Sequence, residues 1–505
     1  MAPRAFAIIA ALTVAGLVIG PVTAVILRAE TFSGFRPADW QALRFTLLQA
    51  TLSAGLSVVF AIPVARALAR RQFLGRGLLV ALLGAPFILP VIVAVLGLLA
   101  VFGQSGLVNR LLAPLGVPEL QIYGLHGVLL AHVFFNLPLA TRLILQGWLA
   151  IPAEQFRLAA TLGMGRRAMW RAVEWPMLRR IVPGAFAVIF VICLSSFAVA
   201  LTLGGGPRAT TLELAIYQSM RFDFDLARAA VLGLVQLVLA LIAGFIALRI
   251  TSLPVAAKGL DRNVPRWDRT GWSAIGTDAI WIGIAALFLL TPLAMVTFNG
   301  LAGITTLGAS VWQAAVHSIL VALGSTALCL LWALPLATRW GEWLGLAGIA
   351  LSPLVLGIGL FLIVRPFANP FELALYVTAT VNAFVSLPFV LRILRPEAEA
   401  IRADYTHLRN ALGLSGWSWL RWVLLPRLKR PLGFAAGLTA ALSMGDLGVI
   451  ALFADPDRAT LPLKVYQLMG AYRMEQAAGG ALLLLLLSLG LFWLFDRGGR
   501  VGSAS

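Results

Sequence analysis

The side chains that could do chemistry in this sequence are few, and most of them belong to an element that occurs twice. Glu154 opens a stretch that continues through Leu158, Ala159, Ala160, Leu162 and Gly163. Asp404 opens another that continues through Leu408, Ala411, Leu412 and Gly413. Gly413 minus Gly163 is 250, and Pro426 minus Pro176 is also 250, so the two stretches match without a gap. Between Pro152 and Gly163 the residues are mostly good helix formers, with a proline suited to the start and a glycine suited to a left-handed stop. Leu158 and Leu162 then share one face, and Glu154 extends that line at i, i+4. The Ala159-Ala160 pair leaves a region without bulk where another surface can approach closely. A helix of about three turns is too short to cross a bilayer, which needs roughly 20 apolar residues. A second amphipathic stretch, Arg167 to Trp175, is expected to end at Pro176 and lead back into the membrane. The chemistry of the repeated element is that of a docking surface.

One acid lies inside an apolar run. Asp446 stands among Leu, Ser, Met, Gly and Val, well within an apolar stretch over 431–453. An ionisable group at such depth is costly and marks a functional position by default. Its partner at the 250 offset is Ser196. Two readings stay open: a carboxylate facing a cavity and holding a cation, or a structural acid hydrogen-bonded by Ser443 or a helix end. Asn136, Asn382 and Ser386 are weaker polar candidates, because one amide or hydroxyl commonly serves helix packing. His126, His132, His317 and His407 show no metal-ligand spacing, and Cys193 and Cys329 lie in apolar runs where a disulfide framework is not indicated. No G-x-x-x-x-G-K-[ST] run occurs, and Gly204-Gly205-Gly206-Pro207 lacks the lysine and reads as a turn.

The elements that must position these residues are membrane spans. The chain has 505 residues, 60% of them hydrophobic and 12% charged, which excludes an ordinary soluble protein. About twelve apolar runs reach span length, near 6–27, 44–68, 78–102, 124–146, 182–204, 229–250, 277–298, 314–338, 343–364, 371–394, 431–453 and 476–496. The first resembles a secretory signal, but the many spans after it favour an uncleaved first span. The net charge of +18 comes from arginines clustered in alternate connections, including both repeated loops and the stretch between the halves. The positive-inside rule places those connections and both termini in the cytoplasm, and the charge therefore reports topology and no nucleic-acid partner. Thr46 to Pro63 matches Ser318 to Pro335 at an offset of 272, and Arg208-Ala-Thr210 matches Arg458-Ala-Thr460 at 250. Two halves with the same order of features are parallel repeats, which places a pathway between them. The expected organisation is a first repeat over 1–250, a cytoplasmic linker over 251–276 and a second repeat over 277–505.

Glu154, Ala159-Ala160, Leu162-Gly163 and the later Pro176 resemble the EAA loop of the ATP-binding-cassette importer permeases. That resemblance implies an all-α polytopic membrane protein with about twelve transmembrane helices. It also implies two parallel repeats of about six, each with a cytoplasmic EAA coupling helix that docks onto an ATPase subunit. The second copy departs from the pattern: Asp404 keeps the acid, but Arg409 and Asn410 stand where the alanine pair should be. Further stretches resemble the branch of thiamine permeases with both halves fused. They are Tyr123 to Pro138, Ser196-Phe-Ala198 with Leu203 to Pro207, Ala209-Thr-Thr211 through Glu213 to Gln218, and Ser443 to Phe453. The resemblance implies a permease in the bacterial inner membrane, two ATPase subunits beneath it, and a periplasmic substrate-binding protein. It implies no cofactor on this chain, with ATP and Mg held by the partner ATPase, and no enzymatic activity of its own. Thiamine and its phosphates are the expected cargo, and the coupling residues are the repeated ones named above. Asp446, Ser196, Ser443 and Asn136 are the candidates for the pathway. Ferric iron or another small solute is the alternative cargo, since ferric-iron permeases are similarly fused. An ion-coupled secondary transporter would place several ionisable groups near the midplane, where Asp446 stands almost alone.

Overall fold

The computed structural model describes residues 2–30, 34–84, 88–250, 271–453 and 458–500. The expected linker falls mostly outside the described residues. The first half contains α1 (Ala2–Ala29), α2 (Pro37–Arg70), α3 (Val91–Phe102), α4 (Leu125–Ala150), α5 (Trp175–Leu194) and α6 (Leu226–Ile250). The second contains α7 (Trp272–Gly303), α8 (Ala309–Leu336), α9 (Pro353–Val364), α10 (Ala374–Asp404), α11 (Leu425–Met444) and α12 (Met474–Arg500). Among the described residues, eleven helices are long and apolar enough to cross a membrane, and α9 is a shorter apolar helix. The protein is therefore an all-helical, multi-pass membrane protein.

Two expected spans are each divided in the structure. The run over 78–102 becomes Arg76–Leu82 followed by α3, and the run over 343–364 becomes Arg339–Ala350 followed by α9. Prolines account for both. Pro90 caps α3 with extended backbone, and Pro353 opens α9 after Ser352, whose ψ of 137° is also extended. Proline has no N–H to offer the ladder and pushes its predecessor out of the helical region. The new helix end at α9 is satisfied locally, because Ser352 Oγ accepts from Leu354 N at 3.2 Å.

The halves are interlocked by their first spans. α1 packs on α9 and α8 of the second half, and α7 packs on α3 and α2 of the first. Each crossing uses the same chemistry. Any side chain at Gly359 would strike Pro21 of α1, and any side chain at Gly97 would strike the Pro292 carbonyl of α7. Small residues let apolar helices approach within a membrane, where dispersion and packing hold them together. The α2–α7 crossing carries a buried ion pair as well: Asp278 accepts from Arg70, and from Arg71 Nε at 2.7 Å.

Candidate functional site: a cavity at two broken helices

The fifth and eleventh spans do not run through as single helices. The stretch expected over 182–204 ends at Leu194 and resumes as Ala198–Leu203, and the stretch over 431–453 ends at Met444 and resumes as Gly448–Phe453. The two interruptions match at the 250 offset, and Ser196 and Asp446 lie in them. Unwound backbone inside a membrane survives only where it is buried in protein or lines a cavity. In the first half, glutamine side chains complete the accounting. Gln49 Nε2 donates to the Cys193 carbonyl at 2.8 Å, and Gln236 Nε2 donates to the Leu194 carbonyl at 2.9 Å. In the second half the acid serves the break itself, with Asp446 Oδ1 accepting from Gly448 N at 3.1 Å. Its other oxygen, Oδ2, is buried and has no hydrogen-bond partner among the described residues. The helix-end reading of Asp446 is thus correct for one oxygen, and the cavity reading stays available to the other.

Both breaks open onto one cavity of about 380 Å³ between the halves. That volume lies within the range of small-molecule sites, ~300–1,000 Å³. All four pathway candidates, Asp446, Ser196, Ser443 and Asn136, line it, as do Asn382 and Ser386. The repeat puts corresponding residues on facing walls: His132 with Asn382, Asn136 with Ser386, Cys193 with Ser443 and Ser196 with Asp446. The hydrogen bonds follow the same plan. His132 sits between Ser53 Oγ at 3.0 Å from Nδ1 and Ser196 Oγ at 2.7 Å from Nε2. Asn382 Nδ2 donates to Ser443 Oγ at 3.1 Å, and Ser443 reaches Ser325 Oγ at 2.9 Å. Ser325 donates onward to the Val321 carbonyl at 2.7 Å, so Ser443 is the donor to Ser325. Ser53 and Ser325 correspond at the 272 offset. Asn136 Nδ2 bonds the His132 carbonyl at 2.8 Å and Cys193 Sγ at 3.4 Å. These bonds form a fixed polar lattice in a mostly apolar wall.

Two lining residues were not legible as site residues. His132 is spaced like an ordinary core histidine, and only its repeat partner Asn382 signals that the position is polar in both halves. Glu213 stands at the start of a short helix, Leu212–Arg221, within a stretch that stood out only for its resemblance. In the structure it is only 1% exposed and lines the cavity.

The repeated loops lie apart from this cavity. The first forms a helix over Ala153–Thr161 with Glu154 in its first turn. Gly163 has φ +60°, and Met164 N bonds the Ala159 carbonyl at 3.0 Å, which closes the helix as expected for a left-handed stop. Leu158 and Leu162 are exposed, at 60% and 62%. The alanine pair, however, does not form one open surface: Ala159 is buried beside Phe156 against the bundle, and only Ala160 is exposed. Helix geometry requires this, since adjacent residues sit about 100° apart around the axis. The second copy is shorter, Thr406–Ala411, with no buried residue. Asp404 is the last residue of α10 and no part of the short helix, because Arg402 stands where Pro152 breaks the first copy and the long helix runs on. Leu408 and Leu412 are exposed, and Gly413 has φ +59°. Pro176 and Pro426 do not end a helix either. Each follows a five-residue π turn, Trp170–Glu174 or Leu420–Leu424, and sits in the first turn of α5 or α11. The wider turn accommodates a residue that has no N–H for the α ladder.

A duplicated helical bundle with interlocked halves, twin broken spans and a ligand-sized cavity between them defines a membrane permease. No family model matches the chain. Full-length relatives do. The chain is 42% identical over 478 residues to the thiamine transport system permease protein ThiP of Brucella abortus, covering 91% of this chain and 87% of the relative. It is 42% identical over 476 residues to the ThiP of Escherichia coli, covering 91% and 89%. It is 37% identical over 465 residues to that of Haemophilus influenzae, covering 88% and 86%. The chain belongs to this family of thiamine transport system permeases.

Proposed function

We propose that this chain is the transmembrane subunit of an ATP-driven importer that carries thiamine and its phosphates across the bacterial inner membrane. A periplasmic binding protein delivers the substrate, and the inter-half cavity receives it. The observation that carries this reading is likeness along almost the whole length to relatives named for thiamine transport, at 37–42% identity. The cavity is consistent with it, since it offers an acid for a cationic ring and a polar lattice within an apolar wall. Ala153–Thr161 and Thr406–Ala411 are the coupling helices, and each docks one ATPase subunit through its exposed leucine pair. Both loops and both termini then face the cytoplasm.

This chain holds no phosphate-binding loop, so ATP and Mg belong to the partners. The purified chain should turn over no ATP. Reconstituted with its ATPase and binding protein, it should show thiamine-dependent ATP turnover with two ATPase copies per chain. Mass measurement of the complex together with phosphate release checks both points; a single ATPase copy, or turnover by the chain alone, would overturn the arrangement.

The loops should not contribute equally. Glu154 is exposed in the first turn of its helix, where a negative charge complements the helix dipole, whereas Asp404 ends a long helix, where it opposes one. Glu154→Arg should therefore impair thiamine-stimulated ATP turnover several-fold more than Asp404→Arg does. Equal losses at matched protein levels would remove the asymmetry.

A further inference from the structure

Glu213 is the one carboxyl in the cavity wall with neither oxygen in a hydrogen bond among the described residues. Its helix, Leu212–Arg221, lies outside the long spans, packs mainly on α6 and α2 of its own half, and also touches α9 and Gly448–Phe453 of the other half. Thr211 caps that helix, accepting from Leu214 N at 3.3 Å, so Glu213 is not needed as the cap. The repeated scaffold does not need the acid either. The register that matches Tyr217 with Tyr466 puts Pro462 opposite Glu213, in an equivalent helix, Leu461–Pro462 onward to Gly470. Ser352 and Gln236 are its polar neighbours; Ser352 Oγ accepts from Leu354 N and Gln236 Nε2 donates to the Leu194 carbonyl, and neither stands in hydrogen-bond geometry with the carboxyl. Burial pushes the Glu213 carboxyl up to about 7, so the neutral acid is populated at neutral pH. A buried polar group without a partner is costly to keep. A scaffold that tolerates proline at the same place has retained such a group where the cavity meets the other half.

We propose that Glu213 is a specificity contact of the cavity, which reads the amino-pyrimidine edge of the substrate through paired hydrogen bonds. This rests on the reading of the chain as a thiamine importer. The chemistry is complementary. A neutral carboxylic acid presents a donor and an acceptor side by side, and a 4-aminopyrimidine presents an N–H donor beside a ring-nitrogen acceptor. Two parallel hydrogen bonds fix the ring in plane as well as in position, as bidentate pairing does elsewhere. Asp446 lies on the second half's wall and supplies the negative group for the thiazolium. One acid from each half, each at a position where the other half has none, makes an asymmetric site in a pseudo-symmetric frame. Thiamine is itself asymmetric, with hydrogen-bonding edge and fixed charge on different rings.

The test compares uptake of thiamine and of 4′-deaminothiamine, which lacks the exocyclic amine, by complexes reconstituted with the same binding protein and ATPase. Discrimination by the binding protein is common to all the complexes, so it cancels when the thiamine-to-analogue ratio of a variant is divided by that of the parent. Glu213→Leu should lower thiamine uptake per inserted molecule about ten- to hundredfold, the scale of leaving paired polar groups unsatisfied. It should leave analogue uptake within about threefold, so that the ratio collapses. Glu213→Gln, which keeps a donor beside an acceptor, should stay within about threefold of the parent for both compounds. An unchanged ratio in Glu213→Leu would overturn the assignment, as would a loss in Glu213→Gln equal to that in Glu213→Leu. Failure of the parent complex to take up thiamine at all would instead overturn the transport reading beneath it.

Discussion

Glu174→Ala should leave little stable protein in the membrane. Glu174 is fully buried at the π turn that follows the helix Ala153–Thr161, and its Oε2 lies 2.7 Å from Arg66 Nη2 of α2. Its Oε1 accepts from Trp148 Nε1 at 3.3 Å, and the Arg66 guanidinium lies 5.0 Å from the centre of the Trp170 ring. Removing the acid leaves a largely buried guanidinium without its counter-ion. Breaking a buried pair in this way costs about 3–5 kcal/mol, much of the ~5–15 kcal/mol that separates folded from unfolded states in ordinary domains. The second half shows what the fold accepts instead: Leu424 occupies the position of Glu174 at the 250 offset, and Thr338 that of Arg66 at 272. The double variant Arg66→Thr, Glu174→Leu should therefore recover most of the stability lost by Glu174→Ala, because no charge is left unpaired. Heating detergent extracts and measuring the folded fraction checks both. A single variant as stable as the parent, or a double variant no better than the single, would show that the pair does not hold the loop.

That pair also shows where the sequence spoke plainly and where it did not. Apolar length revealed the spans, and the unbroken 250 offset revealed the duplication, because each is a one-dimensional signal along the chain. The short helix of the repeated loop was legible in its first copy, where Pro152 and Gly163 mark both ends. It was misread in the second, because a single change, Arg402 for Pro152, lets α10 run through to Asp404. The breaks at Ser196 and Asp446 were hidden, since Ser195-Ser196 and Gly445-Asp446 interrupt hydropathy too little to register in a span-length window. What makes the first break tolerable is distant in sequence: Gln49 and Gln236 reach its freed carbonyls from other helices. The inward turn of Ala159 and the burial of Glu213 are likewise set by the neighbours each helix meets. Local composition does not encode those neighbours. Asp446 was legible, because an acid in an apolar run is conspicuous whatever surrounds it.

Asp446→Asn should lower thiamine uptake per inserted molecule by about ten- to hundredfold while leaving the amount of folded protein near that of the parent. The two expectations separate because the carboxylate does two things with two oxygens. Oδ1 caps Gly448–Phe453 through Gly448 N, and an asparagine carbonyl can accept the same bond. Oδ2 has no partner among the described residues, in a residue that lines the cavity, and only there does the change remove a negative charge. A hydrogen bond to a charged group contributes about 1.5–3 kcal/mol, which sets the size of the expected loss. Asp446→Ala removes the cap as well, at about 1 kcal/mol, and should reduce the level of folded protein in addition to uptake. The repeat supplies a control: Ser196→Ala alters the corresponding position without changing charge, and should cost several-fold less uptake than Asp446→Asn. Normal uptake per molecule in Asp446→Asn would confine the acid to its capping bond. The cavity would then have to hold a cation through its aromatic and neutral polar groups, with Glu213 the lining acid that is not engaged in capping.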